Sequence, residues 1–392
     1  MSKQKILWLV SWYPNEDDQF DGDFIARHAN AASLNNDVHV LFVTQSQKVV
    51  QTTINTTHKG GLTEEIIYFR SSRSLLSRIS KQIMWFSLSL AAVKRYIKLN
   101  GKPDHVHVHV AWKAGLLGLF LRWRFGFKYY LTEHSGIYVY ESPCSFSSKP
   151  SIVRRLIRLI FRSADKVLPV SSFLAEAISK NVVKNDCEVL PNVVDDTLFK
   201  YQHQKNERFT FIHVSNMAPV KNIELLLNAM YDLVYHYEIK DAVLILVGNR
   251  DATYHHLAKE LGLTDSDVQF IGEVCQRTVA NIMQQSHCFV LSSLSETFSC
   301  VTAEALCCGL PVIATRVGAV PELVDQSNGI LIDPNDRTAL TKAMLKLKSS
   351  YSSFDLLRIS QAASAKFNTI EISRRFDSLY GPGYRVSKKN QR

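Results

Sequence analysis

The sequence is poor in three things, and each shortage excludes a class of protein. Long apolar runs are missing. The longest apolar region, IMWFSLSLAAV from Ile83 to Val93, falls well short of the ~20 residues a membrane-crossing helix needs. The opening run Ile6 to Val10 is too brief for a signal peptide and meets Ser11 and then the acidic NEDDQFDGD, so MSKQKILWLVSW reads as a first buried strand and no spanning segment is expected. Cysteine is sparse and unpatterned: seven residues, an odd number, with Cys307 and Cys308 adjacent, form neither a disulfide framework nor a zinc motif, which fits a reducing cytoplasm. Acid is scarce in the first half only. Residues 1 to 200 hold 26 Lys and Arg against 17 Asp and Glu, whereas residues 201 to 392 hold 20 against 19. Arg70 to Lys128 carries twelve basic side chains against one acid, Asp104, and Ile152 to Arg162 adds four arginines with none. A surface of that kind attracts phosphates, whether of nucleic acid, anionic lipid or a lipid diphosphate.

What is present is alternation. Short apolar runs such as KILWLVS, DVHVLFV, PDHVHVHV and KYYLTEH in the first half, and RFTFIHVSN, AVLILVG, SHCFVLSS and GLPVIAT in the second, are separated by helical patterns such as IELLLNAMYDLVYHY. Parallel strands with crossover helices follow from this order. The fold class expected is α/β, with two doubly wound Rossmann-like domains facing each other across a cleft. The first domain is expected over residues 1–200 and the second over 201–365, with the polar YQHQKNER, Tyr201 to Arg208, as linker. Residues 366–392 are expected to form a helix returning to the first domain and then a mobile basic tail.

In doubly wound sheets, ligands bind beyond the carboxyl ends of strands, where loops lead into helix N-termini. The stretch SSLSETFSCVTAEALCCGLPVIAT lies at such an edge: a strand CFVLS, a loop, then a helix that Ser299 can N-cap and that ends near Cys308-Gly309, with Pro311 opening the next strand. Amides around Phe298 to Val301 offer an anion site. Two glutamates, Glu296 and Glu304, stand on either side of the helix start. Eight helical residues advance about 12 Å and turn about 80° past two full turns, so the pair could not share one proton or one metal ion, and two separate roles follow. His105, His107 and His109 share one strand face over about 13 Å, also too extended for one metal. The first two read as packed strand residues and His109, nearest the carboxyl end, as a cleft residue.

With these motifs in this order, the chain resembles the retaining glycosyltransferases of family 4, the group 1 type with the GT-B fold. The run from SSLSETFSCVTAEALCCGLPVIATRVGAVPELV to NGILIDP carries most of the likeness. VSNMAPVKNIELLLNA, LILVGNR, VQFIGEV, PNVVDDTLF, LTEHSG and SWYPNEDDQFDGDFIARHA support it. The resemblance implies that Glu304 accepts hydrogen bonds from the donor ribose and that Glu296 lies beside the transferred sugar. It further implies that Lys221 binds the donor diphosphate and that His134, at a strand end, lies near the donor sugar and the acceptor. Phe298, Ser299 and Cys300 would line the phosphate site at the helix start. Where the family has an arginine five residues before the lysine, this chain has Asn216, which brings no charge, and Arg250 is the candidate compensator. Gly22 stands in the first strand-to-helix loop where the family commonly has two adjacent glycines; here Asp23 follows it. Asn192 is read as structural, and the base is expected near Ile271 to Val274, against backbone.

The reaction implied is transfer of a sugar from a UDP- or GDP-sugar to a glycan or lipid-linked acceptor, with no cofactor and no metal ion, in cell-surface polysaccharide or glycolipid synthesis. An epimerase or phosphorylase of the same fold is the enzymatic alternative, and an inactive basic binding protein the other. Single-stranded nucleic acid is not an expected partner, because the basic segments lack an interleaved aromatic platform. Peripheral attachment to the anionic inner face of the cell membrane is expected instead. In the helix Ile152 to Arg162, Arg154, Arg158 and Arg162 would form a basic ridge over a buried face of Ile152, Val153, Leu156, Ile157, Leu159 and Ile160.

Overall fold

A computed structural model describes residues 3–70, 77–139, 145–184, 186–249 and 252–381. The chain forms two compact units, one running to Val193 and resuming at Thr369, the other spanning Val194–Asn368.

The first unit holds a seven-stranded sheet of β1 (Lys5–Val10), β2 (Asp37–Gln45), β3 (Thr53–Lys59), β4 (Leu62–Phe69), β5 (His105–His109), β6 (Tyr129–Glu133) and β7 (Lys166–Pro169). Their order is β3-β4-β2-β1-β5-β6-β7. All pairs are parallel except β3 with β4. Ile6 to Val10 are all buried, as a central parallel strand covered on both faces requires, while polar β3 (TINTTHK) is almost wholly exposed at the edge. The helices Asp23–Ala32 and Thr369–Tyr380 pack on each other and on the face carrying Ile6, Trp8 and Val10. Ile372, Phe376 and Tyr380 are buried there, each apolar side chain contributing about 1.5–3 kcal/mol. Right-handed crossovers put Ser77–Asn100, Ala114–Phe125 and Ser151–Ser163 on the opposite face.

The second unit repeats the plan with β8 (Phe209–Ser215), β9 (Ala242–Gly248), β10 (Val268–Gly272), β11 (Cys288–Leu291), β12 (Val312–Thr315) and β13 (Gly329–Ile332), all parallel, in the order β10-β9-β8-β11-β12-β13. No helix among the described residues is long and apolar enough to cross a membrane.

Two expectations need correction. Tyr201 to Arg208 is not a free linker but part of the second unit. Lys205 donates to the carbonyl of Gln284 at 2.8 Å, and Arg208 donates to those of Ser266, Lys240 and Ala242. Its polarity serves to satisfy backbone carbonyls at strand and helix ends. The helix Ser151–Ser163 also divides differently. Ile152 is 61% and Leu159 48% exposed, alongside exposed Arg155 and Arg162, whereas Arg154 and Arg158 are half-buried. Arg158 donates to the carbonyl of Val182 at 3.1 Å and lies over the Phe146 ring. A guanidinium that caps a neighbouring helix end while its stem covers a phenyl ring turns inward, and the apolar residues on the opposite side are left outside. The basic tail from residue 382 and Arg250 lie outside the described residues.

Candidate functional site

In the second sheet the chain leaves β8 toward β9 on one side and reaches β11 on the other, so the β8 and β11 carboxyl ends flank the point where ligands bind in such sheets. The loop after β8 carries Lys221 and the loop after β11 carries Glu296. They meet: Lys221 Nζ lies 2.7 Å from Glu296 Oε1. The loops are stitched together by Leu294 N–H to Val220 O and by Ser292 Oγ to Lys221 O, both 2.8 Å. Ser293 Oγ donates to the same Glu296 oxygen at 2.8 Å, and Thr315 Oγ1 donates to Ser293 O, fixing that loop from β12. Behind Glu296 stands Gly318, at φ +55°, where a Cβ would fall 1.8 Å from the Glu296 carbonyl oxygen. Only glycine allows this approach, so Gly318 sets the position of Glu296. His213, buried in β8, bonds Val290 O and Ser215 Oγ, each at 2.8 Å, and so ties β8 to β11 directly beneath. Burial holds its imidazole down at about 4, hence neutral.

Glu296 is 9% exposed and Glu304, on the helix Cys300–Cys307, 5%. Ser299 does not cap that helix with its side chain. At φ 72° it adopts the left-handed conformation, and its hydroxyl turns to Thr302 Oγ1 at 2.8 Å instead of a backbone amide. Phe298 is buried against Phe367, and Cys300 is partly exposed at the first turn. Asn216 is exposed just beyond β8, its Oδ1 accepting from Ala218 N–H at 3.2 Å, a local turn that holds the loop leading to Lys221. Ile271 to Val274 runs off the end of β10, two strands away from β8.

In the first unit His134 follows β6 and is buried. Glu133 clamps that turn. Its buried carboxylate accepts from the backbone N–H groups of Ala111, His134 and Ser135 at 2.9–3.0 Å and from Tyr138 Oη at 3.1 Å. Burial pushes its carboxyl above the ordinary value, against the pull of those donors. His109 Nδ1 lies 3.2 Å from His134 Nε2, and His28 Nε2 bonds Pro191 O at 2.9 Å. His109 stacks between Trp8, His107 and His134 with no solvent exposure, so it lies beneath the surface, not on it. His107 bonds Tyr380 Oη and Thr132 Oγ1. Burial, then the neighbouring imidazoles, holds His109 and His134 well below their ordinary values, and burial holds His28 down at about 4; all three are neutral. Gly22, at φ +61°, starts the helix Asp23–Ala32. A Cβ there would meet the Trp12 backbone at 2.6 Å, so its freedom is used for packing on that loop.

Among the described residues, His28, His109 and His134 form the one group that could ligate a metal ion, their nitrogens within 4.8 Å of one another. All are buried, and no carboxylate of the described residues joins them. Two Asp-x-Asp triplets occur elsewhere. Asp23 of the first pairs with Arg27 at 2.8 Å, and Asp267 of the second accepts from Thr264 at the amino end of β10, away from the β8/β11 edge.

Sequence reasoning passed over Gly318, Ser293, His213 and Glu133. Gly318 alone left a signal, the only glycine within TRVGAVPE after a strand; the others become visible once their partners are known.

Residues 208–350 match the model of the glycosyl transferases group 1 family, and residues 66–193 that of the glycosyl transferase 4-like domain. One subunit of the human phosphatidylinositol N-acetylglucosaminyltransferase is 25% identical over 295 residues, 72% of this chain and 58% of that protein. The match thus spans little more than half the length of that relative. Among solved structures, sucrose-phosphate synthase from Thermosynechococcus elongatus superposes with a TM-score of 0.77 at 22% identity, over 96% of this chain and 98% of its own. Anabaena HepE in complex with UDP-glucose does so at 0.70 and 17%, over 96% and 99%. These neighbours share the two-unit fold of the GT-B glycosyltransferases.

Proposed function

The chain belongs to the family 4 glycosyltransferases, and from that premise we propose that it transfers a sugar from a UDP- or GDP-sugar to a glycan or lipid-linked acceptor, with retention of configuration and without a metal ion. The observation that carries this reading is the Lys221–Glu296 pair. It sets a cation for a departing phosphate beside a carboxylate for the sugar being released, which is what breaking the bond between them requires. The diphosphate binds Lys221 and the first-turn amides from Phe298 to Cys300, with Asn216 donating a neutral hydrogen bond. Glu304 takes the ribose diol, since one carboxylate accepts from two vicinal hydroxyls. Glu296 stabilises the oxocarbenium-like transition state. His134, neutral, offers a hydrogen bond to the sugar without adding charge to the leaving group's surroundings. The acceptor oxygen bonds to the anomeric carbon as the carbon–phosphate-oxygen bond breaks, and the acceptor's proton passes to the leaving diphosphate, so no separate base is used.

A membrane-borne acceptor, in cell-surface glycan or glycolipid synthesis at the inner face of the membrane, is supported by the outer helices of the first unit. Trp123 is 80% exposed there, with exposed Ile152 and Leu159 and the cations Arg124, Arg155 and Arg162. Exposed indole and basic side chains together suit an anionic interface. The human relative's name, which specifies phosphatidylinositol, supports the same direction.

The test is a thermal-shift screen of UDP- and GDP-sugars, followed by incubation of the best donor and assignment of the released anomer by NMR. One stabilising donor released with retention is expected; isomerisation of the intact donor, or no donor binding, would reject transfer. Sedimentation with anionic vesicles at low and high salt tests the location, with binding expected at low salt and reduced at high.

A further inference from the structure

In the first unit a cavity of about 510 Å3 opens at the carboxyl ends of β1, β2 and β5. β1 and β5 are the neighbours at which this sheet's winding reverses, the position at which such sheets hold ligands. Three indoles, Trp12, Trp85 and Trp112, and three ammonium groups, Lys81, Lys113 and Lys149, line it. None of these lysines has an ion-pair partner among the described residues, whereas Lys3, Lys48 and Lys166 of the same unit are each paired with a carboxylate. Among the described residues the only acid in the lining is Asp21, whose carboxyl is raised to about 6 by burial and by Asp18, with Lys113 opposing.

The backbone carries a second sign. Val110 and Lys113, both in the lining, sit at φ 70° and φ 67°. A β-branched or long side chain in the left-handed region is an outlier, and such strain gathers where a ligand site over-determines the chain. The loop is held there by Ser11 Oγ, which donates to Trp112 O at 2.6 Å and accepts from Ala114 N–H at 3.2 Å, and by Val110 N–H to Thr132 O at 2.9 Å.

We propose that this cavity is the acceptor subsite and that it takes an acceptor bearing a phosphate ester beside a hydroxylated ring. The three ammonium groups hold the phosphate and the indoles pack on the ring. Three unpaired point charges suit a dianion better than a single carboxylate, and indole faces bury the C–H face of a ring while hydroxyls reach the polar rim. This deepens the glycosyl-transfer reading and rests on it. The phosphate could belong to a soluble sugar phosphate or to a lipid headgroup.

The deciding probe is inorganic phosphate, followed by tryptophan fluorescence, with glucose 6-phosphate, glucose and phosphatidylglycerol vesicles as further arms. Saturable binding of phosphate and of glucose 6-phosphate, but not of glucose, is expected. Lys81→Gln, Lys149→Gln and Lys113→Ala should each raise the phosphate Kd about tenfold, as loss of a charge-assisted contact does, and Lys221→Ala should leave it unchanged. Lys113→Gly, which suits the backbone there, guards against misfolding as the cause. Vesicles that displace glucose 6-phosphate assign the phosphate to a lipid; vesicles that do not assign it to a soluble acceptor. Absence of phosphate binding, or its loss only in Lys221→Ala, overturns the subsite. UDP and GDP binding measured in parallel separates the two readings: binding of either nucleotide without phosphate binding sinks the subsite alone, and absence of both sinks glycosyl transfer.

Discussion

Both units wind a parallel sheet outward from a central pair of strands, yet they treat charge in opposite ways at that pair. In the second unit, Lys221 and Glu296 neutralise each other at 2.7 Å, and Ser293 holds the carboxylate from behind. In the first, buried imidazoles are neutral, and Lys81, Lys113 and Lys149 line a cavity with no ion-pair partner among the described residues. A paired and braced site is organised before its ligand arrives, which suits a constant ligand such as a nucleotide diphosphate. Unpaired cations leave attraction unspent until an anion comes. On the proposed reading, topology determines where each unit would bind, and side-chain charge what it would select.

Cutting the paired side should do the most damage. Lys221→Ala should lower kcat about 10²–10³-fold with a smaller change in donor KM, because phosphate charge grows as the glycosidic bond breaks. Steady-state kinetics decides, and a raised KM with intact kcat would show that Lys221 acts in binding only. Glu304→Ala should weaken affinity for the donor found in the screen by about 1.5–3 kcal/mol, measured by calorimetry; unchanged affinity in a folded variant would remove Glu304 from the site.

Acid probes the neutral side. The folded values of His28, His107, His109 and His134 lie below 6.5, that of His28 near 4, so between about pH 4 and 6.5 the unfolded chain binds more protons. Stability then rises with pH through that window and is lost on acidification. From pH 7 to 5, His28 alone should cost about 2 kcal/mol. Denaturant titrations should show a steep loss, flattened in His28→Asn; a flat profile in the wild type would refute neutral burial. The smallest effect belongs to Asn216→Arg, which should leave activity unchanged or modestly raise it, as a cation added beside a phosphate site would. Strong inhibition would mean that the turn made by Asn216 with Ala218 matters more than charge.

The strands were legible because a parallel strand covered on both faces must be a short apolar run, as in KILWLV and AVLILVG. Glu296, Glu304 and Lys221 were legible as polar residues following such runs. Their meeting was not, since Lys221 and Glu296 are brought together by crossovers that no local pattern encodes. In the helix Ser151–Ser163 the amphipathic spacing was legible but its faces were not: Arg162 lies outside with Arg155, Ile152 and Leu159, whereas Arg154 and Arg158 turn inward. Which side meets water was decided by Phe146 and Val182, residues remote from that pattern. Likewise Ser299 has the composition of a cap but the backbone of a left-handed turn, and composition does not report φ.

The route of the chain imposes an order on synthesis. The first unit is left after Val193 and rejoined only at Thr369, yet Ile372, Phe376 and Tyr380 belong to its core. A ribosome therefore delivers the whole second unit while the nascent first sheet still lacks the wall that covers Trp8 and Ile25. At ~5–20 residues per second that delay is on the order of ten seconds or more. The later-encoded unit is contiguous and can finish first. The earlier one waits with apolar surface uncovered, and that interval is when a chaperone would be needed.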